Sequence, residues 1–199
     1  MKSFKQHIFE KLKVSVKNTT KHTLFPKTKD ELKQMIKDEI SKNGIECSLN
    51  HIDVSKITDM AGLFFRSKFN GDISEWNVSN VTNMHDMFYG SDFNGDISNW
   101  DVSNVENMEA IFFDSNFNGD VSEWDVSNIK SMKFMFTYSK FNGDISNWDV
   151  SSVNNMYRMF STSNFNGNIS KWDVSNVKDM SFIFRNSPLK NNPPKWYKE

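Results

Sequence analysis

One cysteine, Cys47, stands in a chain of 199 residues, so no disulfide can close within it and no cysteine-rich metal site exists. No apolar run approaches the roughly 18 residues that a membrane-spanning helix requires, so no membrane span is expected. Neither sign of charge prevails. Lys and Arg number 24 against 25 Asp and Glu, a net charge of −1, which excludes a uniformly basic nucleic-acid binder and a wholly acidic disordered tail. The first ten residues, Met1 to Glu10, are basic but lack the apolar stretch of about 7–15 residues that a secretory signal needs behind them. No lipid-acceptor cysteine lies near the start either, so a cytoplasmic or virion-associated location is expected. Aromatic residues, by contrast, are plentiful. With 18 Phe and 6 Trp, the chain has enough apolar surface to offset the entropy of ordering it.

The near-zero net charge hides a dipole, +6 over residues 1–44 and −9 over residues 69–188. No aromatic residues interleave the basic segment in the manner of a nucleic-acid reader, so no nucleic-acid partner is expected.

Self-similarity dominates the sequence. The string from Phe69 to Phe88 returns at 93, 117, 141 and 165, always with a period of 24. All six tryptophans, Trp76, Trp100, Trp124, Trp148, Trp172 and Trp196, fall at one position of the repeat, and Gly71, Gly95, Gly119, Gly143 and Gly167 share another. Such a period marks a stack of units, none of which can bury its apolar face alone. A degenerate copy precedes the five and a half copy follows them, as the unpaired ends of a stack require. The organisation expected is a basic arm over residues 1–23, a capping segment over 24–44 and a repeat solenoid over 45–199. The solenoid divides into a degenerate repeat 45–68, full repeats 69–92, 93–116, 117–140, 141–164 and 165–188, and a half repeat 189–199.

Within a repeat, Ile73, Trp76 and Val78 follow an Asn-Gly pair and read as a short strand, with Gly71 supplying positive φ at the turn. Val81, Met84, Met87 and Phe88 then recur at the spacing of one helical face, with Ser79 and Asn80 where an N-cap belongs. The expected fold is therefore α/β, a right-handed solenoid with one short strand and one short helix per repeat, its strands aligned in a parallel sheet. Ahead of it, Thr28-Lys29-Asp30-Glu31 is a capping-box sequence. Leu32, Met35, Ile36 and Ile40 line one face behind it and Gly44 ends the run, which predicts an amphipathic helix over 29–43 that seals the open end. At the other end Pro193 and Pro194 stop further pairing, and Trp196 closes the core.

The string Phe-Asn-Gly-Asp-Ile-Ser-x-Trp-Asp-Val-Ser-Asn-Val-x-x-Met-x-x-Met-Phe resembles the DUF285 bacterial surface-protein repeat, a family that looks related to BspA-like leucine-rich repeats. That resemblance implies a leucine-rich-repeat-like solenoid with a non-enzymatic surface, adhesion or interaction role, and it supplies no catalytic residues. The basic N-terminal segment resembles leader segments on some proteins of gut bacteria and their phages.

Chemistry-bearing patterns are few. Two rows of acids recur with the repeat, Asp72, Asp96, Asp120 and Asp144 in one, Asp101, Asp125, Asp149 and Asp173 in the other. Such rows suit calcium through hard oxygen ligands, or cap backbone N–H groups in Asx-turns. Asn stands in for Asp at Asn168 and Asn77 with no other change, which favours the turn reading. Asn70 and its equivalents predict an asparagine ladder between coils. The four histidines show no metal-ligand spacing, and no phosphate loop, dinucleotide fingerprint or serine-hydrolase elbow is present. The chain therefore reads as a non-enzyme with no cofactor and no metal.

Variation between copies concentrates on the outer segment and its exit. There Tyr89, Phe113, Phe134, Tyr138, Tyr157 and Phe182 gather with Arg158 and Arg185. Aromatic residues and Arg are the types enriched at interface hot spots. These eight are the candidate partner-binding residues of a monomeric module whose partner is expected to be a protein. Two other readings remain: a structural part of a larger assembly, such as a virion or envelope, attached by the N-terminal arm, and a carbohydrate-binding module.

Overall fold

The computed structural model describes residues 22–198, so the basic arm, apart from His22 and Thr23, lies outside the described residues. A helix, α1 (Lys29–Asn43), precedes the repeats where the capping residues and apolar stripe place it. Thr28 Oγ1 accepts the Glu31 N–H at 3.2 Å, and the Glu31 carboxylate reaches back to the Lys27 N–H at 2.7 Å. Two otherwise orphaned donors are thereby satisfied. Asp30 and Glu31 sit in the first turn, where carboxylates complement the helix dipole. Gly44 ends the helix at φ 88°, its N–H bonded to the Ile40 carbonyl. Leu32 and Ile36 are buried in the same core as the repeats.

The repeats stack as coils of 24 residues, but not as the expected α/β, leucine-rich-repeat-like solenoid. Among the described residues there is one α-helix, one 3₁₀ turn (Pro188–Lys190) and no strand; the coils meet through isolated parallel bridges such as Asp59↔Asn83 and Asn83↔Asn107. Backbone geometry accounts for both missing elements. The expected helix would need negative φ throughout. Instead two residues in every coil, four apart, take φ between 51° and 63°, from Gly62 and Arg66 through Asp86 and Gly90 to Phe182 and Asn186. Each is the third residue of a turn closed by a backbone bond, as where Leu63 N–H reaches Met60 O at 3.2 Å and Ser67 N–H reaches Phe64 O at 3.1 Å. The alternate N–H groups point to the next coil. Those of Met60, Gly62, Phe64 and Arg66 donate to the carbonyls of Asn83, His85, Met87 and Tyr89 at 2.7–2.9 Å. The expected strand at Ile73–Val78 is replaced by two turns, Trp76 N–H to Ile73 O at 3.2 Å and Val81 N–H to Val78 O at 2.9 Å. Donors spent within a coil are not available to a sheet.

Side chains complete the registration. Every Trp indole N–H donates to the carbonyl 27 residues earlier, from Trp76 to Leu49 through Trp196 to Ile169, at 2.8–3.2 Å. Phe64, Phe88, Phe112, Phe136, Phe160 and Phe184 stack ring on ring through the core, with centroids 5.6–6.1 Å apart. The asparagine ladder forms through side-chain carbonyls. Asn70 Oδ1 accepts the Asn94 N–H at 2.8 Å, and the pattern continues to Asn166.

Gly119 and its equivalents owe their place to packing, not to the positive φ expected at the Asn-Gly turn. A Cβ there would lie 2.7–2.9 Å from the ring of the Phe two residues earlier, and none of these five glycines is in the left-handed region.

Candidate interaction surface

The turns that replace the helix also decide which side chains point outward. Met84, Met87 and Phe88 turn into the core, as do their equivalents in the other coils. Most of the residues between and just after them, where both left-handed positions fall, form the outer edge of the coil, although Ala110, Thr137 and Ser161 are buried there. Because the ladder locks each coil to the next, these outer residues line up along the stack.

The sequence-predicted aromatic residues meet there in one unbroken ridge. Phe65 stacks on Tyr89 with centroids 4.9 Å apart, and Tyr89 on Phe113 at 4.4 Å. The mode then changes to edge-to-face. Phe113 meets Tyr138 at 5.5 Å and Phe134 at 6.1 Å, Phe134 meets Tyr157 at 5.3 Å, and Tyr157 meets Phe182 at 6.1 Å. The change follows from position. Phe65, Tyr89 and Phe113 occupy the same place in successive coils, whereas the later rings come from three different places. All eight candidate residues lie on this ridge. Most of the rings are half-buried against one another, while Tyr138 and Phe182 remain 55% and 50% exposed.

Cations are seated along it. Arg158 lies 5.2 Å from the Tyr157 ring and 5.3 Å from that of Phe182, and Arg185 lies 5.7 Å from Phe182. Three members escaped the sequence reading: Phe65, 46% exposed, Arg66, 5.4 Å from the Phe65 ring, and Lys133, 5.3 Å from Phe134. Phe65 and Arg66 were recoverable by stepping back 24 residues from Tyr89 and Gly90 into the degenerate coil. Lys133 had the same signal, since it occupies the position of Tyr157 one coil earlier. Over the coils of 85–90 and 109–114 the ridge is acidic. Asp86 sits 3.2 Å from His85, and burial pushes its carboxyl up while His85 pulls it down and Glu109 adds to the rise.

The acid rows lie elsewhere and are occupied by turns. Asp72, Asp96, Asp120 and Asp144 each accept the N–H of the serine two residues on at 2.9–3.0 Å, and Asn168 does the same at 3.1 Å. The second row repeats this, from Asn77 to Asp173. The backbone N–H groups of Ser122 and Ser146, seconded by the hydroxyls, hold Asp120 and Asp144 below the usual carboxylate range. Among the described residues no three His, Cys, Asp or Glu side chains converge as a metal site would need, and no helix is long and apolar enough to cross a membrane.

Comparison with known protein families identifies the chain by its repeats. The model of a family described as "Mycoplasma protein of unknown function, DUF285" matches residues 30–138 and again residues 93–197, the two spans overlapping as repeats allow. No curated protein and no solved structure matches the chain.

Proposed function

The chain belongs to the DUF285 family, and from that premise we propose that it is a non-enzymatic binding module that engages a protein through the aromatic ridge. One observation carries the reading. The ridge runs ring to ring from Phe65 to Phe182, built from the positions that differ between copies, while the positions that hold the stack together scarcely vary. A fold needs only one solution to stacking, so outer residues free to vary are where a partner is selected. Rigid rings with adjacent guanidinium groups supply contact area at little entropic cost. The residues committed elsewhere do not compete with this reading: the indole donors point to backbone carbonyls and the acid rows to serine N–H groups.

The test is affinity capture from a lysate of the source cell, comparing the wild type with the triple variant Phe134→Ala/Tyr138→Ala/Tyr157→Ala. Ala110 already occupies the left-handed position equivalent to Phe134, so the backbone accepts Ala there. Circular dichroism should match between the two proteins. A partner lost only by the variant supports the ridge; equal retention of every partner refutes it.

A further inference from the structure

The ridge changes sign half-way along. Its outer residues over 85–90 and 109–114 include Asp86, Glu109 and Asp114, with Arg66 the ridge's one cation ahead of them, whereas those over 133–138, 157–162 and 181–186 include Lys133, Arg158 and Arg185. None of the three cations forms an ion pair among the described residues. Lys133 helps to keep the Asp179 carboxylate ionised, without pairing with it. Arg158 is the least satisfied. Its guanidinium lies against the Tyr157 and Phe182 rings, and its buried Nε has no acceptor.

We propose that the occupant of this ridge is a second copy of the chain, laid antiparallel on the first about a two-fold axis that passes between the coils of Asp114 and Lys133. The proposal rests on the reading of the ridge as a protein-binding surface and names its partner. Because every coil has 24 residues, the axis fixes which coils oppose. The coil of residues 109–114 faces 133–138, that of 85–90 faces 157–162, and that of 61–66 faces 181–186. Glu109 then lies opposite the partner's Lys133, and Asp86 opposite the partner's Arg158, while Asp114 lies opposite the partner's Tyr138. Phe65 lies opposite the partner's Arg185, an arrangement of cation over ring that the ridge already uses within one copy, and Arg66 lies opposite the partner's Asn186 at the exposed end of the strip. A parallel arrangement would set Lys133, Arg158 and Arg185 against their own kind. The rings nearest the axis are Phe113, Phe134 and Tyr138, which puts the largest apolar contact at the centre, where hot spots concentrate. Two-fold pairing is also the commonest closed symmetry, since each contact is made twice. A strip about 25–30 Å long and a few side chains wide is at the small end of specific interfaces, so the expected dissociation constant is on the order of micromolar.

Charge reversal at one pair tests this on the full chain. Asp86 and Arg158 occupy the same position of their coils, with φ of 56° and 55°, so Asp86→Arg and Arg158→Asp each place a residue the same backbone site already holds elsewhere. Sedimentation velocity at concentrations from about 1 μM to 1 mM brackets the expected constant. Wild type should dimerise, and each variant alone should associate roughly tenfold or more weakly, because each sets like charges opposite one another twice. An equimolar mixture of the two should dimerise again, since either variant supplies the charge the other needs. A wild type that stays monomeric throughout, or single variants that dimerise as well as wild type, would overturn the proposal. If wild type is monomeric but the triple alanine variant still loses a captured protein, only the dimer falls and the binding function stands.

Discussion

A carboxylate in the acid rows does two things at once. Its Oδ1 closes a turn on the serine N–H, and its charge repels the carboxylate one coil away, Asp144 against Asp120 and Asp173 against Asp149. Hydrogen bonding wins for each of these four side chains, whose affinity for a proton is below the ordinary value. The serine donors are the main cause, the backbone N–H first for Asp120 and Asp144 and the hydroxyl first for Asp149 and Asp173. A carboxyl held down in the folded state contributes stability above its unfolded value of about 3.9, and that contribution is lost as the pH falls through the lower folded value. The stack should therefore lose thermal stability in acid below about pH 4. Asn77 and Asn168 close the same turns without a charge. The quadruple variant Asp120→Asn/Asp144→Asn/Asp149→Asn/Asp173→Asn should thus keep its fold, melt somewhat below the wild-type temperature at pH 7 because the stabilisation carried by the ionised carboxylates is gone, and show a flatter acid limb. A melting curve measured from pH 2 to 7 decides it; unfolding of the variant at pH 7 would mean that the charge itself is needed.

At the scale of elements, α1 was legible in the sequence and the coil was not, for a common reason. The helix is announced by local chemistry, in Thr28, Glu31 and Gly44, that has one structural meaning. The repeat is announced by apolar spacing, and Val81, Met84, Met87 and Phe88 point inward whether the chain coils as a helix or folds as successive turns. What separates the two is backbone sign. Gly62, Gly90, Asp86, Asp114 and Asn186 carried that signal, since Gly, Asp and Asn are the residues most tolerant of positive φ. In other coils Ala110, Phe134, Arg158, Tyr138 and Thr162 fill the same sites and mask it. Here the fold overrides residue preference, because the N–H of each such residue is claimed by the next coil, as Thr162 by Arg185 at 2.6 Å. A β-branched residue bears this conformation worst. Thr162 is exposed and takes φ 55°, so Thr162→Gly should raise stability by about 1 kcal/mol, the relief of strain exceeding the entropic cost of glycine. The same change inside a helix would lower stability by about 0.3 kcal/mol, so the sign of the shift in a urea titration distinguishes the two backbones. The outer ridge was legible through variation between copies. Only its first ring, Phe65, and the cations Arg66 and Lys133 went unread, the first two because the degenerate coil hid the repeat there.

For the molecule as a whole, the binding face and the stability come from the same repetition. Each coil contacts its two neighbours through a ladder offset by 23 to 25 residues, an indole bond reaching back 27, and rings stacked one above another. Stability in such a stack is a sum over coils and the interfaces between them. Deleting residues 117–140 would join Asn116 to Phe141 with every position in phase, because Phe141, Gly143 and Trp148 stand where Phe117, Gly119 and Trp124 stood. The shortened chain should fold and unfold in one transition, at lower temperature than the full chain, since one coil and one interface are gone. Deleting residues 117–128, half that length, should abolish cooperative unfolding. It would set Ile129 where Phe117 packs and Phe136 where Trp124 donates, leaving the Ile97 carbonyl without its indole partner. Calorimetry of the two deletions separates a stack held by register from one held by apolar burial alone, because the half-length deletion removes less apolar surface yet does the greater damage.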